Sequence, residues 1–195
     1  MCIRDRTLTG FKYIGKKICD WEQGGEHTFI FGYEESYGYL AGTHARDKDA
    51  VSSSMLIVEM AAYYKSQGMT LIDALNGIYA KYGYYYDCLE TLVLKGKAGA
   101  EKICAAMSAL RAEGGGLFDD IEHVSDYLTG IDDLPRENVL RFEFNDGSWA
   151  AVRPSGTEPK LKLYFSVRGE DRRSAEQRQK AIRNALFVVI DKIKV

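Results

Sequence analysis

The sequence predicts an α/β segment over residues 7–96, followed over residues 97–195 by an α+β domain with an antiparallel sheet. Three observations carry this. The second half alternates a helical pattern, several strand-like runs and a closing helical pattern. Asn145-Asp146-Gly147 separates two of those runs, a strong hairpin signal. The first half pairs two helical patterns with short strands, and a lone strand cannot bury its own faces, so that half reads as part of a larger α/β unit. Gly96 and Gly99 flank a polar joint that marks the expected boundary.

In order, residues 7–18 (TLTGFKYIGKKI) read as a turn feeding a short helix. Thr9 or Gly10 stands at its start, and Ile14 and Ile18 share a face. TFIFG (28–32) reads as a short buried strand. YEESYGYLAGTHARDKD (33–49) reads as a polar loop, its glycines and charges arguing against a regular element. A helix begins near Asp49 or Ala50, carries MLIVEMAAYYKSQ and closes at Gly68. Thr70 caps the next helix, LIDALNGIYAKYG. YYYDCLETLVL (84–94) is an extended strand, and AEKICAAMSALRAEG a helix ended by glycines 114–116. A strand is expected near Ile121–Asp126, then NVLRFEFND, GSWAAVR and LKLYFSVRG. Residues 174–193 form a final helix with Ala181, Ala185, Val188 and Val189 inward.

The composition is that of a soluble globular chain, 46% apolar and 28% charged, long enough to bury a core. A formal net charge of −2 and the lack of a basic stripe argue against nucleic acid. No run of about 18 apolar residues suggests a membrane span. MCIRDRTLTG lacks the apolar stretch of a secretory leader, and its first six residues fit neither neighbouring pattern. A cytoplasmic protein is expected. Cys2, Cys19, Cys88 and Cys104 match no metal or redox spacing and read as buried free thiols. His27 and His123 are isolated and read as surface or packing residues, so no metal site is expected.

The most specific chemistry lies in RPSGTEPK, residues 153–160. Backbone N–H groups, Ser155 and Thr157 can donate to a phosphate, Gly156 permits close approach, and Arg153 and Lys160 supply charge. Nothing in the loop pairs a nucleophile with a base. Upstream, Glu34, Glu35 and Ser36 offer acceptors and a hydroxyl suited to sugar hydroxyls, with ordinary solvated acids as the bland alternative. His44, Arg46 and Lys48 alternate, so an extended chain would turn all three to one face. There they would meet an anionic substrate, with His44 or Lys48 able to exchange a proton. The competing reading is a loop laced by Arg46–Asp47 and Lys48–Asp49 charge pairs. Thr9, Gly10 and Lys12 are weaker candidates for presenting backbone and a cation.

TGFKYIG (9–15), FGYEESYGY (31–39), GTHARDKDAV (42–51) and RPSGTEPKLKLY (153–164), in this order, resemble motifs of the α-D-phosphohexomutase superfamily. The resemblance is greatest to the phosphoglucomutase/phosphomannomutase branch with its phosphopentomutase-like members. It covers nearly the whole chain from residue 7. It implies the end of that family's third domain followed by its fourth. The implied sugar-recognition loop holds Glu34, Glu35 and Ser36, and the implied cradle for the non-transferring phosphate holds Arg153, Ser155, Gly156, Thr157 and Lys160. Lys48 is implied near the reacting hydroxyl, His44 and Arg46 frame the phosphosugar, and Thr9, Gly10 and Lys12 line the cleft. Where a shorter family pattern reads GEESGH, this chain reads GYEESYGY. It lacks a histidine right after the signature, which favours Lys48.

The family's catalytic phosphoserine loop and its Asp-Gly-Asp magnesium loop have no counterpart here. The resemblance therefore implies a parent enzyme that interconverts sugar 1-phosphate and 6-phosphate, glucose favoured, through a bisphosphate. Mg2+ would be held by a domain absent here, and a sugar bisphosphate would serve as activator. The partners implied are the phosphosugar and the missing N-terminal domains, and this portion alone is expected to be inactive. A non-catalytic phosphosugar-binding module is the alternative.

Overall fold

A computed structural model describes residues 6–131, 134–156 and 158–193. The chain divides into two units, Met1–Asn76 and Gly77–Val195.

In the first unit, helix α1 (Phe11–Gly24) starts after Gly10, whose φ of 123° suits glycine, and ends on Gly25 in the left-handed region. It runs a turn and a half beyond the expected segment. Phe11 and Ile18 meet Leu40 in a small core, with Ile14, Phe29 and Ala45 packed around it. Strands β1 (Phe31–Tyr33) and β2 (Tyr39–Ala41) form an antiparallel hairpin. This corrects two expectations. The apolar run TFIFG is not a buried strand, because Ile30, Phe31 and Tyr33 stand exposed. The polar segment after it is not wholly irregular, because Tyr39–Ala41 pairs back onto Phe31–Tyr33.

Helix α2 (Ala50–Ser66) is capped by Asp49, whose carboxylate accepts the Val51 and Ser52 N–H groups. None of its residues is buried, although Val51, Met55, Ile57, Val58 and Met60 are apolar. Helix α3 (Leu71–Tyr82) begins with a reciprocal cap: Thr70 Oγ1 accepts the Asp73 N–H, and the Asp73 carboxylate accepts the Thr70 N–H. The break between units falls inside this helix.

The second unit is a five-stranded antiparallel sheet in the order β3-β7-β6-β5-β4. Its strands are β3 (Tyr84–Val93), β4 (Ile121–Asp126), β5 (Leu140–Phe144), β6 (Trp149–Pro154) and β7 (Lys160–Gly169). Period-two alternation puts Leu161, Leu163, Phe165 and Val167 of β7 beside Leu140, Phe142 and Phe144 of β5 in one core. Two helices, α4 (Gly96–Glu113) and α5 (Arg172–Lys192), supply Ile103, Met107, Leu110, Ile182, Leu186 and Ile190 to it. A short 3-10 turn, Gly114–Leu117, follows α4. The Asn145-Asp146-Gly147 turn joins β5 to β6, with Gly147 at φ 83° donating its N–H to the Phe144 carbonyl.

The expected boundary at 96–97 and the break between units at 76–77 differ; β3 pairs with β7 from Tyr84↔Gly169 to Val93↔Lys160 within the second unit. Three further expectations are corrected here. Gly99 is not part of a linker. It lies inside α4, where an added Cβ would stand 2.1 Å from the Leu94 carbonyl oxygen. On α5 the inward stripe is Ala175, Gln179, Ile182, Leu186, Val189 and Ile190; Ala181 and Val188 are exposed and Ala185 is only partly covered. Among the described cysteines, Cys19 and Cys104 are exposed and Cys88 is half-buried, so the expectation of buried thiols fails for two of them. No described helix is long and apolar enough to cross a membrane.

Candidate functional site

The predicted residues fall on both units, and each unit builds its own part. In the first, Glu34–Gly38 turns β1 into β2 and is closed by the Glu34 N–H donating to the Gly38 carbonyl at 3.0 Å. Tyr37 sits at φ 63°, the one described non-glycine residue in the left-handed region, where a bulky side chain is costly. Thr9, Gly10, Glu34 and Glu35 line a shallow pocket of about 130 Å³ together with Thr7, Leu8, Ile14 and Tyr33. That volume is below the roughly 300–1,000 Å³ of enclosed ligand sites, so the pocket is an open subsite. Ser36 lies exposed in the turn, and Lys12 Nζ lies 4.8 Å from the Tyr13 ring centre.

His44, Arg46 and Lys48 do not share a face. The segment bends instead of extending, and the three side chains find different partners. His44 Nε2 lies 2.9 Å from Asp49 Oδ2 at the cap of α2. Ser52, His44 and the Val51 N–H, in that order, hold the Asp49 carboxyl well below the usual carboxylate range. Arg46 donates to the Thr43 carbonyl at 2.6 Å and pairs with Glu22 of α1 at 2.5 Å. The charge pairs of the competing reading, Arg46–Asp47 and Lys48–Asp49, give way to Arg46–Glu22 and Lys48–Asp47.

Lys48 alone of the three turns toward the Glu34–Gly38 turn. Its Nζ stands 3.0 Å from Asp47 Oδ1 and 3.6 Å from Glu34 Oε1, and 5.6 Å from the Phe11 ring centre. The Glu34 side chain is only 11% exposed, against 47% for Lys48. Asp47 first, then Glu34, push the Lys48 ammonium above its ordinary value. At neutral pH it stays a cation.

In the second unit, the Ser155 N–H donates to the Lys160 carbonyl at 2.8 Å where β6 turns into β7. Arg153 and Lys162 are cross-strand partners. Arg153 Nε lies 3.4 Å from Glu137 Oε2, and Lys160 Nζ 2.8 Å from Glu158 Oε1. Both predicted cations thus already hold a carboxylate. Gly156 is exposed, its φ is not left-handed, and no described atom lies within 4 Å of where a Cβ would stand. Thr157 lies outside the described residues. The sequence reading missed Asp47, Glu137 and Glu158 as partners of the cations. Asp47 and Glu158 adjoin their cations in sequence, but Glu137 carries no local signal. A larger open depression of about 620 Å³ along α5, at Arg183 and Phe187, holds none of the predicted residues.

Among the described residues, no three or more His, Cys, Asp or Glu side chains converge to hold a metal ion. The magnesium implied by resemblance has no ligand set here, and no step below runs through it.

One unit is an antiparallel sheet backed by two helices, with Arg153, Ser155 and Lys160 at its β6–β7 hairpin; the other carries Glu34, Glu35 and Ser36 in the turn of a two-stranded hairpin. The chain matches two consecutive regions of one family. Residues 4–82 match the phosphoglucomutase/phosphomannomutase alpha/beta/alpha domain III, and residues 66–185 match the C-terminal domain. It belongs to the phosphoglucomutase/phosphomannomutase family. A phosphoglucomutase of Staphylococcus haemolyticus is 38% identical over 193 residues, covering 92% of this chain and 34% of the relative. One from Staphylococcus aureus (strain bovine RF122 / ET3-1) is 41% identical over 177 residues, covering 83% and 31%. The chain thus spans about a third of the length of these relatives. The open form of the Paramecium phosphoprotein pp63/parafusin, a phosphoglucomutase, superposes with a TM-score of 0.67 at 20% identity, over 92% of this chain and 33% of that one. This last likeness speaks to fold alone.

Proposed function

We propose that this chain is the sugar-binding and phosphate-binding portion of a phosphohexomutase that interconverts hexose 1-phosphate and 6-phosphate, with glucose favoured, through a bisphosphate intermediate. The observation that carries this reading is the Lys48–Glu34 pair at the mouth of the sugar turn. A protonated ammonium beside an acceptor-rich loop can hold a sugar hydroxyl and stabilise charge on the oxygen that gains or loses a phosphoryl group.

In this reading Glu34, Glu35 and Ser36 hold the sugar hydroxyls, with Thr9, Gly10 and Lys12 beside them. Arg153, Ser155, Gly156, Thr157 and Lys160 grip the phosphate that stays in place. Lys48 is the catalytic cation beside the reacting oxygen. His44 and Arg46, tied to Asp49 and to Glu22, shape the loop that carries it. The raised ammonium keeps Lys48 charged at neutral pH, so its part is to stabilise negative charge on that oxygen.

The phosphoserine, the magnesium and the remaining domains belong to the rest of the parent enzyme, which works in the cytoplasm and responds to a sugar bisphosphate activator. The 195-residue chain therefore binds phosphosugar without turning it over. Calorimetry with glucose 1-phosphate and glucose 6-phosphate should detect binding. A coupled assay with magnesium and glucose 1,6-bisphosphate should detect no conversion. Turnover by the pure chain would overturn the division of labour, and absence of binding would overturn the reading of the site.

A further inference from the structure

We propose that Gly38 is a positioning residue: its bare Cα is what lets Glu34 and Lys48 pair across the sugar turn. The proposal deepens the functional reading above and rests on it for the claim that this pair faces substrate. A Cβ at Gly38 would stand 2.5 Å from Lys48 Cδ, 2.8 Å from Glu34 Oε1 and 3.1 Å from Glu34 Cγ. Real Cβ atoms do not approach this closely, so something must move. All three obstructing atoms belong to the two side chains of the pair, and none to backbone.

Gly38 lies outside the left-handed region, so its backbone would accept alanine without strain. The glycine is buried, and its carbonyl closes the turn by accepting the Glu34 N–H. The strained Tyr37 precedes it and sets the direction in which the turn returns to β2. Gly15 offers the contrast: a Cβ there would stand 2.5 Å from the Arg46 carbonyl oxygen and push on loop backbone. Gly15 spaces the loop, while Gly38 spaces the two working side chains. The groups facing the Lys48 ammonium are Asp47 on its own loop, Glu34 on the turn and the Phe11 ring of α1.

The test follows the Lys48 side chain by carbon-13 NMR titration in the 195-residue chain, with its signal assigned by Lys48→Met, and measures glucose 6-phosphate affinity by calorimetry. Gly38→Ala is expected to move the Lys48 titration down toward that of an ordinary lysine and to weaken affinity severalfold, with the circular dichroism unchanged. On a Lys48→Ala background, adding Gly38→Ala should cost less affinity than it does in the unsubstituted chain, because only the Glu34 contacts remain. An unchanged Lys48 titration, or fully additive losses, overturns the positioning role. If the titration moves but the unsubstituted chain binds no glucose 6-phosphate, the steric role stands and the functional reading falls. Should Gly38→Ala not fold, adding Glu34→Ala and Lys48→Ala together should restore folding by vacating the space. A triple variant that also fails to fold overturns the proposal.

Discussion

Lys160 Nζ lies 2.8 Å from Glu158 Oε1, so the cation that ends the proposed phosphate loop already carries a counter-ion from within that loop. An incoming phosphate must displace the carboxylate or share the ammonium with it. Glu158→Gln is therefore expected to tighten glucose 6-phosphate binding. An exposed pair of this kind is worth about 1 kcal/mol or less, a gain of up to roughly fivefold. Calorimetry at low and high salt checks it, and equal or weaker binding by the variant counts against the displacement.

Gly156 has open space where a Cβ would stand and no left-handed backbone, so the described fold gives it no reason to be glycine. Gly156→Ala should leave the thermal midpoint nearly unchanged, within about 0.5 kcal/mol as for ordinary surface changes. It should still weaken phosphosugar binding, because a ligand approaching backbone would meet the methyl group. Arg153→Ala should weaken the same binding. A Gly156→Ala chain that binds with full affinity would detach the glycine from the site.

Asp49 caps α2 with its carboxyl well below the usual range. The sign follows from linkage: a carboxyl lowered on folding stabilises the fold above its unfolded value and loses that contribution as pH falls through the folded one. The cap should be at full strength at neutral pH, begin to weaken as pH falls through the ordinary value of 3.8, and be lost only well below it. An acid titration followed by circular dichroism, with Asp49→Asn as the comparison, checks this. The two chains should lose their difference in strong acid.

Burial first, then Glu90 and Asp87, push the Cys88 thiol up to about 11. The thiolate is the reactive form, so Cys88 should alkylate slowly at neutral pH, well after the exposed Cys19 and Cys104. Mass spectrometry of a timed iodoacetamide reaction reads the order, and early labelling of Cys88 would show that β3 opens.

Helix α2 buries no residue yet exposes Val51, Met55, Ile57, Val58 and Met60. A helix apolar all round gains little stability in water without a cover. Amide exchange should be faster in α2 than in β5–β7, whose Leu140, Phe142, Leu163 and Val167 are buried. Uniform protection along the chain would contradict this.

Much of the second unit was legible because its signals are local. Asn145-Asp146-Gly147 names its own turn, and Ile121–Asp126 forms the strand expected of it. The first unit was harder, since Tyr39–Ala41 becomes a strand only by pairing with Phe31–Tyr33, which no short window encodes. Apolar character was mistaken for burial at Ile30 and Phe31. The phase of α5 was misread because Ala181, Ala185 and Val188 mimic a stripe one position away from Ile182, Leu186 and Val189. In the candidate site, the residue types were legible from the motifs. The separate partners of His44, Arg46 and Lys48 were not, because alternation predicts a shared face only for an extended chain, and this segment bends.

The pairing of β3 with β7 has a kinetic consequence. Tyr84 finds its partner in Gly169 and Val93 in Lys160, so the strand that opens the second unit is completed only after α4 and β4–β6 have been made. Contacts this distant along the chain close slowly, because loop entropy must be overcome before pairing is rewarded. Until β7 leaves the ribosome, a tyrosine-rich strand waits with its backbone unpaired on that side, an open edge for wrong pairing.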